Sequence, residues 1–514
     1  MEMRIEVVIT DGASDGKTGK QEYRVNVQAD LPESGEKLVD EVERGILQLE
    51  KETLRSGFAT YMAAVSEKRA HAVCNSVGGV VVAHPTLYRV DGEVGRVAFR
   101  TYDVKNDKGT VWSGSKEFFP AQGPREYYRT AGMSELLLNM ASEMSYGSAT
   151  ALLNRVRHVN HDLTPVRTAA AIVEREGVAV QAQIEQWATG TLKAHDFSED
   201  GRPRKVDECD DGHGMSIPES RIQEVLAAYN ATRSEEYHIP AEAPAQRYED
   251  PKRAVNVSLD DVGVKRQRET RKHGVSRQVG GTEHDPKGTS GASQRYVHNT
   301  IAHIQSSLGT YVLNGHGTVS VLRLVVAFLL HWDLLFGRPV QFFVDGQRTL
   351  QAAILERLNW LPGKRIILDW YHLRKRCEQD LSTALRGRLV RNAVLGHLLP
   401  LLWLGRVDAS IEHLRNLAAD SFKAGQTPEV LIGYLERNRE HIPCYALRKQ
   451  LGLRNSSNCG EKANDLCVAA RQKHQGMSWS TSGSVALASI VALRRNGELA
   501  SWCTERRLEF QGVA

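Results

Sequence analysis

The chain has 514 residues, which is too long for one ordinary hydrophobic core, so we expect two to four domains. Hydrophobic residues make up 41% of it, no apolar run is long enough to span a membrane, and Met1–Arg4 does not begin a signal peptide. The seven scattered cysteines form no C-x-x-C pair, which argues against a disulfide framework or zinc ribbon and indicates the reducing cytoplasm. A net charge of +4 is too small to identify a nucleic-acid binder.

Residues 1–125 are predicted to form a small α+β region. Ile5, Val7 and Ile9 alternate with polar residues, which is typical of a β-strand, and a second such strand follows after a turn. Apolar residues recur at helical spacing over residues 35–72, and short strands follow up to residue 101. No residue pattern in this region indicates a particular chemistry.

Residues 126–250 are predicted to form a helical region followed by a linker. Three short helices separated by tight turns are expected within residues 131–175, and the third carries Arg167. This arrangement fits a helix-turn-helix unit that binds DNA, with Arg167 as a candidate contact. Because the polar face is only mildly basic, a helical linker bundle fits as well. Residues 190–248 are polar and rich in glycine and proline, as in a linker around one helix.

Residues 251–385 show the order strand, strand, strand, helix, strand, helix, strand, helix. The strands are predicted at 254–260, 296–304, 309–313, 340–344 and 366–368, and a strongly apolar helix at 322–335. Three meandering strands followed by alternating helices and strands are typical of the ribonuclease H-like fold, an α/β domain with a mixed sheet. A helical insertion is then predicted over residues 386–455, and the final helices of the same domain over residues 456–514.

Three carboxylates occur where this fold would bring them together. Asp260 ends the first predicted strand, Asp345 ends the fourth, and Glu461 lies near the start of a late helix. Sites in α/β proteins usually form at the carboxyl ends of neighbouring parallel strands. Mg²⁺ and Mn²⁺ prefer oxygen ligands, and such ions promote phosphoryl transfer. Without a cation the three acids would repel one another, so we predict that they are catalytic metal ligands.

Each of these acids also has a purely structural explanation. Asp345 precedes a glycine and could form a turn or cap the next helix, and Asp260 could be a turn residue together with the aspartate that follows it. Glu461 completes the N-x-x-E spacing of a capping box. All three acids occur at the positions where the predicted fold would bring them together. This favours one shared metal site over three unrelated turn or capping residues.

Asp369 is the alternative to Asp345 because it also ends a predicted strand. We prefer Asp345, since its strand directly follows the first helix of the domain, and we expect Asp369 to orient His372 or to border the site.

Basic residues follow the predicted strand that ends at Asp260 and the predicted strand that ends at Asp369. Such residues are usually solvated, but beside an acidic site they are also what a phosphate backbone requires. The candidate DNA contacts are Lys265, Arg266, Arg268, Arg374, Lys375 and Arg376.

Four motifs in this part of the chain resemble those of a known family. They are VSLDDVGVKRQ, FFVDGQRTLQAAI, ILDWYHLRKRC and NCGEKANDLCVAARQKHQGMSWS, and SEMSYGSATALL lies ahead of them. With these motifs the chain resembles bacterial insertion-sequence transposases of the Kra type, which are related to Mutator-like transposases. The resemblance covers roughly residues 131–500.

The resemblance implies a DDE transposase in which the three acids bind Mg²⁺ or Mn²⁺. Asp369 and His372 match the family's D-x-x-H element, and Asn464 lies near the site. The implied partners are double-stranded DNA, as terminal inverted repeats and target, and further copies of the chain in a homodimer or larger assembly associated with the nucleoid. Relatives often carry paired cysteines ahead of the helical region, whereas Cys74 stands alone here, so zinc-dependent end recognition is not expected.

Two other functions would use the same features. One is a non-catalytic, domesticated transposase that acts as a DNA-binding repressor, and the other is a structure-selective nuclease on the same fold. The presence of all three acids argues against a purely binding role, because binding alone does not require them. Strand joining would distinguish a transposase from a nuclease.

Overall fold

The computed structural model describes residues 1–10, 22–119, 128–157, 164–205, 216–240, 248–267, 295–473 and 477–512. The protein is mixed α/β, as predicted, and its contacts group into two compact units. One unit contains Met1–Ile172 with Leu499–Arg507, and the other contains Val173–Glu498 with Leu508–Ala514. The division into five regions stays a prediction, because contact grouping and functional boundaries are different properties.

The first unit begins with an antiparallel hairpin that packs on a long helix. β1 (Glu2–Thr10) pairs with β2 (Glu22–Asp30), and their alternate residues are half-buried against α1 (Leu38–Val77). Two small three-stranded sheets and three helices complete the described part of this stretch. They are formed by β3 (Val80–Val81), β4 (Thr86–Gly92), β5 (Gly95–Thr101), β6 (Asp103–Asn106), β7 (Gly109–Ser113), α2 (Gly114–Phe118), β8 (Tyr128–Arg129), α3 (Ala131–Glu143) and α4 (Tyr146–Val156).

The third predicted helix of the helical region is much longer than expected. α5 (Val166–Ala194) was predicted to end near residue 175, but buried Val180, Ile184, Ala188 and Leu192 continue its apolar face at a spacing of four. The short third helix is therefore a wrong prediction, because later apolar contacts prolong the helix. Arg167 is exposed in its first turn. DNA binding by this region stays a prediction.

A five-stranded mixed sheet forms the centre of the second unit. Its order is β11-β10-β9-β12-β13; neighbours among the first three strands are antiparallel, and β12 is parallel to both β9 and β13. All five residues of β12 are buried, as expected for a central parallel strand. The elements are α6 (Glu219–Asn230), β9 (Val255–Lys265), β10 (Tyr296–Ser306), β11 (Gly309–Gly315), α7 (Thr318–His331), β12 (Val340–Val344), α8 (Arg348–Arg357) and β13 (Lys364–Leu368).

Helices follow the sheet and have a core of their own. Leu373 and Leu381 pack with Leu398, Ile411 and Leu435 in one buried cluster. This cluster joins the segment predicted as a helical insertion to the first helix after the sheet. The helices that contribute to this core are α9 (Trp370–Ala384), α10 (Gly387–Trp403), α11 (Val407–Arg415), α12 (Glu429–Arg437) and α13 (Tyr445–Gln450). They are followed by α14 (Asn458–Asn464), the π-helix Asp465–Ala469, α15 (Ala470–Gln472) and α16 (Thr481–Arg495), whereas α17 (Leu499–Glu505) belongs to the first unit.

The sequence predicts neither a disulfide framework nor a membrane-spanning segment. The six cysteines within the described ranges are free thiols, and Cys209 lies outside those ranges. The helices of the described ranges include none with the length and apolar character needed to cross a membrane.

A buried glutamate in the second unit should make its stability depend on pH. Glu498 is only 6% exposed and accepts hydrogen bonds from the hydroxyl of Tyr311 (3.3 Å) and the backbone N–H of Gln511 (3.2 Å). Burial raises the pKa of Glu498 to about 7. The unfolded pKa is about 4.3, so between these values the folded chain holds the extra proton and stability falls as pH rises.

The substitution Glu498→Gln should remove this pH dependence. After discounting for partial solvent screening, the stability of the variant relative to the parent should increase by about 2 kcal/mol between pH 4.5 and pH 8. Urea unfolding followed by tryptophan fluorescence would measure both proteins at each pH. A difference that is the same at the two pH values would contradict this assignment.

Candidate active site

Three aspartates follow the parallel strand pairs at one edge of the sheet. β12 and β13 pair up to their last residues, and Asp345 and Asp369 directly follow those residues. On the other side of β12, the parallel pairing with β9 ends two residues before Asp345 and Asp260. The three carboxylates therefore occupy the same level of three adjacent strands, where α/β proteins commonly form sites.

Asp260 lies inside β9 and not at its end. The prediction that the strand ends at this acid is wrong, because β9 continues to Lys265 by antiparallel pairing with β10, where Asp260 lies opposite Ile301. The same pairing excludes the alternative that Asp260 and Asp261 form a turn. The first part of β9 pairs with both β10 and β12, whereas Asp260 and the residues after it pair with β10 alone.

The environment of Asp260 shows which groups are close to it. Burial raises its pKa; a hydrogen bond from Asn464 acts in the opposite direction, and the negative charges of Asp345 and Glu461 raise the pKa further. Nδ2 of Asn464 donates to Oδ2 of Asp260 at 2.7 Å. Asp345 and Glu461 are therefore both within electrostatic reach of Asp260, although the three acids are 85 and 116 residues apart in sequence (345 − 260 and 461 − 345).

Asp345 lies in a tight turn that its own side chain stabilises. Its Oδ1 accepts a hydrogen bond from the backbone N–H of Gln347 at 2.8 Å, so the turn alternative describes the local structure correctly. It does not cap the next helix, since Gln347 is the N-cap residue of α8. No described residue donates to its Oδ2. Gly346 has φ +88°, and a Cβ there would lie 2.5 Å from the hydroxyl oxygen of Tyr434.

Glu461 is carried by α14, which packs closely on β9. The N-x-x-E capping box is not formed, because Ser457 is the N-cap residue and makes no side-chain capping bond. Instead the single hydrogen of the Ser457 hydroxyl is shared between Oε1 of Glu461 at 3.2 Å and Oδ2 of Asp369 at 3.1 Å. A Cβ at Gly460 would lie 2.7 Å from Cβ of Ser258 on β9. The glycine therefore permits the close approach that brings Glu461 to the sheet.

Asp369 is fully buried and joins α9 to α14. It accepts hydrogen bonds from the backbone N–H of His372 (2.8 Å) and from both the backbone N–H and the hydroxyl of Ser457 (3.1 Å for the hydroxyl). Burial by itself raises the pKa of Asp369, but the hydrogen bonds from His372 and Ser457 outweigh it and lower the pKa overall. Asp369 thus fixes the first turn of α9 and the start of the helix that carries Glu461.

His372 lies between two carboxylates. Its Nδ1 is 3.3 Å from Oδ1 of Asp369 and 3.4 Å from Oε1 of Glu461. The contact with Asp369 raises the pKa of His372, burial opposes this, and the charges of Glu461, Asp369 and Asp345 raise it further. Asp369 and His372 are therefore in contact, and the role of Asp369 in orienting His372 stays a prediction.

These side chains can hold a cation. The ligand atoms of Asp369, His372 and Glu461 lie within 4.8 Å of one another, a spacing that Asp260 and Asp345 do not share with them in the described structure. Nδ1 of His372 is buried and lacks a well-formed hydrogen bond from the described residues. Carboxylates with an imidazole suit Mn²⁺ and related ions, and an all-carboxylate set suits Mg²⁺. The donor chemistry therefore fits a divalent cation.

The predicted DNA contacts have different surroundings. Lys265 and Arg266 are exposed at the end of β9, and Arg268 lies outside the described residues. On α9, Nε of Arg374 is 2.8 Å from Glu378, Nε of Arg376 is 2.8 Å from Asp380, and Nζ of Lys375 is 5.9 Å from the ring centre of Tyr371. The structure brings the α9 residues to the same end of the sheet as His372, whereas Arg167 belongs to the first unit.

Two residues near this site, Ser457 and Tyr434, are not predicted from the sequence. Ser457 could have been found, because a serine directly before a helical pattern is a common N-cap. Tyr434, whose hydroxyl lies against Gly346, had no local signal, because it reaches the site from the middle of the helical insertion.

Because α14 packs closely on β9, adding a methyl group at Gly460 should lower the stability of the protein. Gly460→Ala should destabilise the protein by about 1–3 kcal/mol, because α14 must move away from the backbone of Ser258. Gly396→Ala, in the exposed middle of α10 with open space around it, is the matched control and should stabilise by about 0.5–1 kcal/mol. Urea unfolding of both variants measures the difference, and equal effects would contradict the packing.

Comparisons with known proteins add little to this geometry. No protein-family model and no curated protein matches the chain. It is similar to a chain of the solved structure described as "Crystal structure of a pre-cleavage Mos1 transpososome", with 11% identity, coverage of 66% of this chain and 98% of that chain, and a TM-score of 0.16. A match at this TM-score gives no information on fold or function, so both are inferred from the residues.

Proposed function

We propose that the chain is a metal-dependent DNA transposase whose second unit contains a ribonuclease H-like catalytic domain interrupted by a helical insertion. The observation that carries the proposal is the arrangement of three acids from distant segments. Asp260 and Asp345 lie at the same level of adjacent parallel strands, and the helix that carries Glu461 is joined to Asp260 by the hydrogen bond from Asn464. The sheet order supports it, because three antiparallel strands followed by two parallel ones in the order 3-2-1-4-5 are typical of that fold. The motifs quoted above point to the same class.

In this proposal Asp260, Asp345 and Glu461 are the ligands of Mg²⁺ or Mn²⁺. Bound cations would stabilise the charge that develops on the phosphodiester and activate the attacking oxygen. The chain positions the acids through their neighbours: Asn464 holds Asp260 by a hydrogen bond, and Asp369 holds the start of α14. His372 adds an imidazole nitrogen to the carboxylates.

The proposed reaction has two steps. In the first, the oxygen of water forms a bond to phosphorus at the end of the element, and the bond from phosphorus to the 3′-oxygen breaks to release a 3′-hydroxyl. In the second, this hydroxyl attacks a phosphorus of target DNA and displaces the target's own 3′-oxygen. Holding two ends of the element together implies more than one copy of the chain, so we propose a homodimer or larger assembly that acts on DNA in the nucleoid.

The direct test uses DNA from either side of the gene. Labelled inverted-repeat DNA, incubated with the protein and Mg²⁺ and a plasmid target, should be cut at the repeat end and joined to the plasmid. Cleavage of branched DNA without joining would identify a structure-selective nuclease. Binding of the repeats without any cleavage in Mg²⁺ or Mn²⁺ would identify a repressor, and either result would overturn the proposal.

A further inference from the structure

A basic cleft opens beside the turn that carries Asp345. It has a volume of about 500 Å³ and begins at Gly346. Residues of α8, including Arg348, form one wall, residues of α12, including Arg437, form the other, and Arg376 of α9 also lines the cleft. The described residues that line it include no carboxylate. The cleft is therefore positive, whereas the neighbouring site is acidic.

Two of the three arginines have no acidic partner within the described part of the chain. Arg348 and Arg437 are exposed, and neither lies within 4 Å of an acidic group among the described residues. Arg376 differs, because Asp380 holds it and its guanidinium carbon lies 5.4 Å from the ring centre of Tyr434. The cleft thus contains two guanidinium groups, each with several N–H donors, that face an open space.

The walls of the cleft are joined by hydrogen bonds. Nε2 of Gln351 on α8 donates to Oδ1 of Asn438 at 2.8 Å, and Nδ2 of Asn438 donates to the backbone carbonyl of Tyr434 at 2.9 Å. The buried ring of Tyr434 places its hydroxyl against Gly346. Since the walls are held in place before any ligand arrives, little ordering is required when one binds.

We propose that this cleft binds the phosphate backbone of the DNA strand that enters the acidic site, with Arg348 and Arg437 as phosphate contacts. This inference rests on the proposed function, because the strand is the substrate of that same site. Arginine suits the role, since its planar guanidinium donates paired hydrogen bonds to phosphate oxygens. It follows that the helical insertion, through α12, forms part of the substrate site.

The test neutralises the two arginines and measures DNA binding without catalysis. The variant Arg348→Gln/Arg437→Gln should bind a fluorescent 30-base-pair DNA duplex roughly tenfold more weakly in EDTA, and the slope of log affinity against log salt should decrease in magnitude by about 2. The control Arg386→Gln/Arg388→Gln also removes two exposed charges near the start of α10 in the insertion, at positions that do not line the cleft, and should change neither quantity. Equal losses in both variants, or none in the first, would overturn the proposal.

Two further arms separate DNA from a small anion and from a folding defect. Arg348→Lys/Arg437→Lys keeps both charges and should restore the salt slope, and a variant that fails to do so would overturn the electrostatic role. Inorganic phosphate at constant ionic strength should compete poorly with DNA. Competition at equal phosphate concentration would identify a small-anion site instead. The binding assay contains EDTA and does not depend on catalysis. Absence of cleavage in the separate assay with Mg²⁺ would therefore refute the proposed transposase activity without changing the measured role of the two arginines in DNA binding.

Discussion

Replacing Asp345 by asparagine should abolish cleavage of repeat DNA in Mg²⁺ or Mn²⁺ while leaving DNA binding intact. The loss should reach at least about 1,000-fold, which corresponds to about 4 kcal/mol in the activation free energy. Asparagine removes a negative charge from the proposed cation site, but its carbonyl oxygen can still accept the hydrogen bond from Gln347. The turn is therefore preserved, and a labelled-DNA cleavage assay combined with a binding assay separates the two effects.

The control for this experiment is Glu356→Gln. This glutamate is exposed on α8 and is not among the residues that make up the acidic site or line the basic cleft, so its loss should leave cleavage unchanged. Asp260→Asn and Glu461→Gln should reproduce the effect of Asp345→Asn, because all three would bind the same cations. Cleavage by the Asp345 variant at the rate of the parent would show that the assignment of the site is wrong.

Replacing Asp369 by asparagine should reduce both stability and activity. Asp369 is fully buried, and its two oxygens accept three hydrogen bonds from His372 and Ser457. An amide nitrogen cannot accept, so a buried N–H of Ser457 loses its acceptor, and we expect a loss of about 2–4 kcal/mol in the free energy of unfolding. Because Ser457 begins the helix that carries Glu461, cleavage should fall as well.

The pH dependence gives this prediction a distinctive signature. The hydrogen bonds lower the pKa of Asp369 below its value in the unfolded chain, so their stabilisation is present above about pH 4 and is lost as pH falls further. The deficit of Asp369→Asn relative to the parent should therefore shrink in acid. Ser457→Ala, which removes only the hydroxyl bonds, should cost about 1 kcal/mol. An asparagine variant as stable as the parent at pH 7 would refute the role.

Much of the second unit could be predicted because its elements have strong local patterns. The segment of β12 is almost entirely apolar, and all of its residues are buried in the centre of the sheet. The end of β9 was mispredicted for the opposite reason. Asp260 and the aspartate that follows it are typical of a turn, and only the pairing of these residues with β10 keeps them in a strand.

The candidate site divides in the same way. Asp260, Asp345, Asp369 and Glu461 could be chosen from the sequence, since carboxylates at strand ends and helix starts have recognisable positions. Which of these acids lie close together could not be predicted, because the sequence does not show how far apart two distant segments are in the folded chain. The basic cleft is a further example, since Arg348 and Arg437 are 89 residues apart (437 − 348) and neither has a local pattern that indicates a site.

The sequence by itself determined the strands and helices around the site and the four acids that could form it. Periodicities of two and 3.6 residues are properties of neighbouring positions, so they are readable along the chain. The tertiary structure decided that Asp369 holds His372 and the start of α14, that Glu461 lies against β9, and that the helical insertion supplies one wall of a basic cleft. These contacts depend on how distant segments pack, and packing is determined by the shapes and volumes of side chains that no local pattern records.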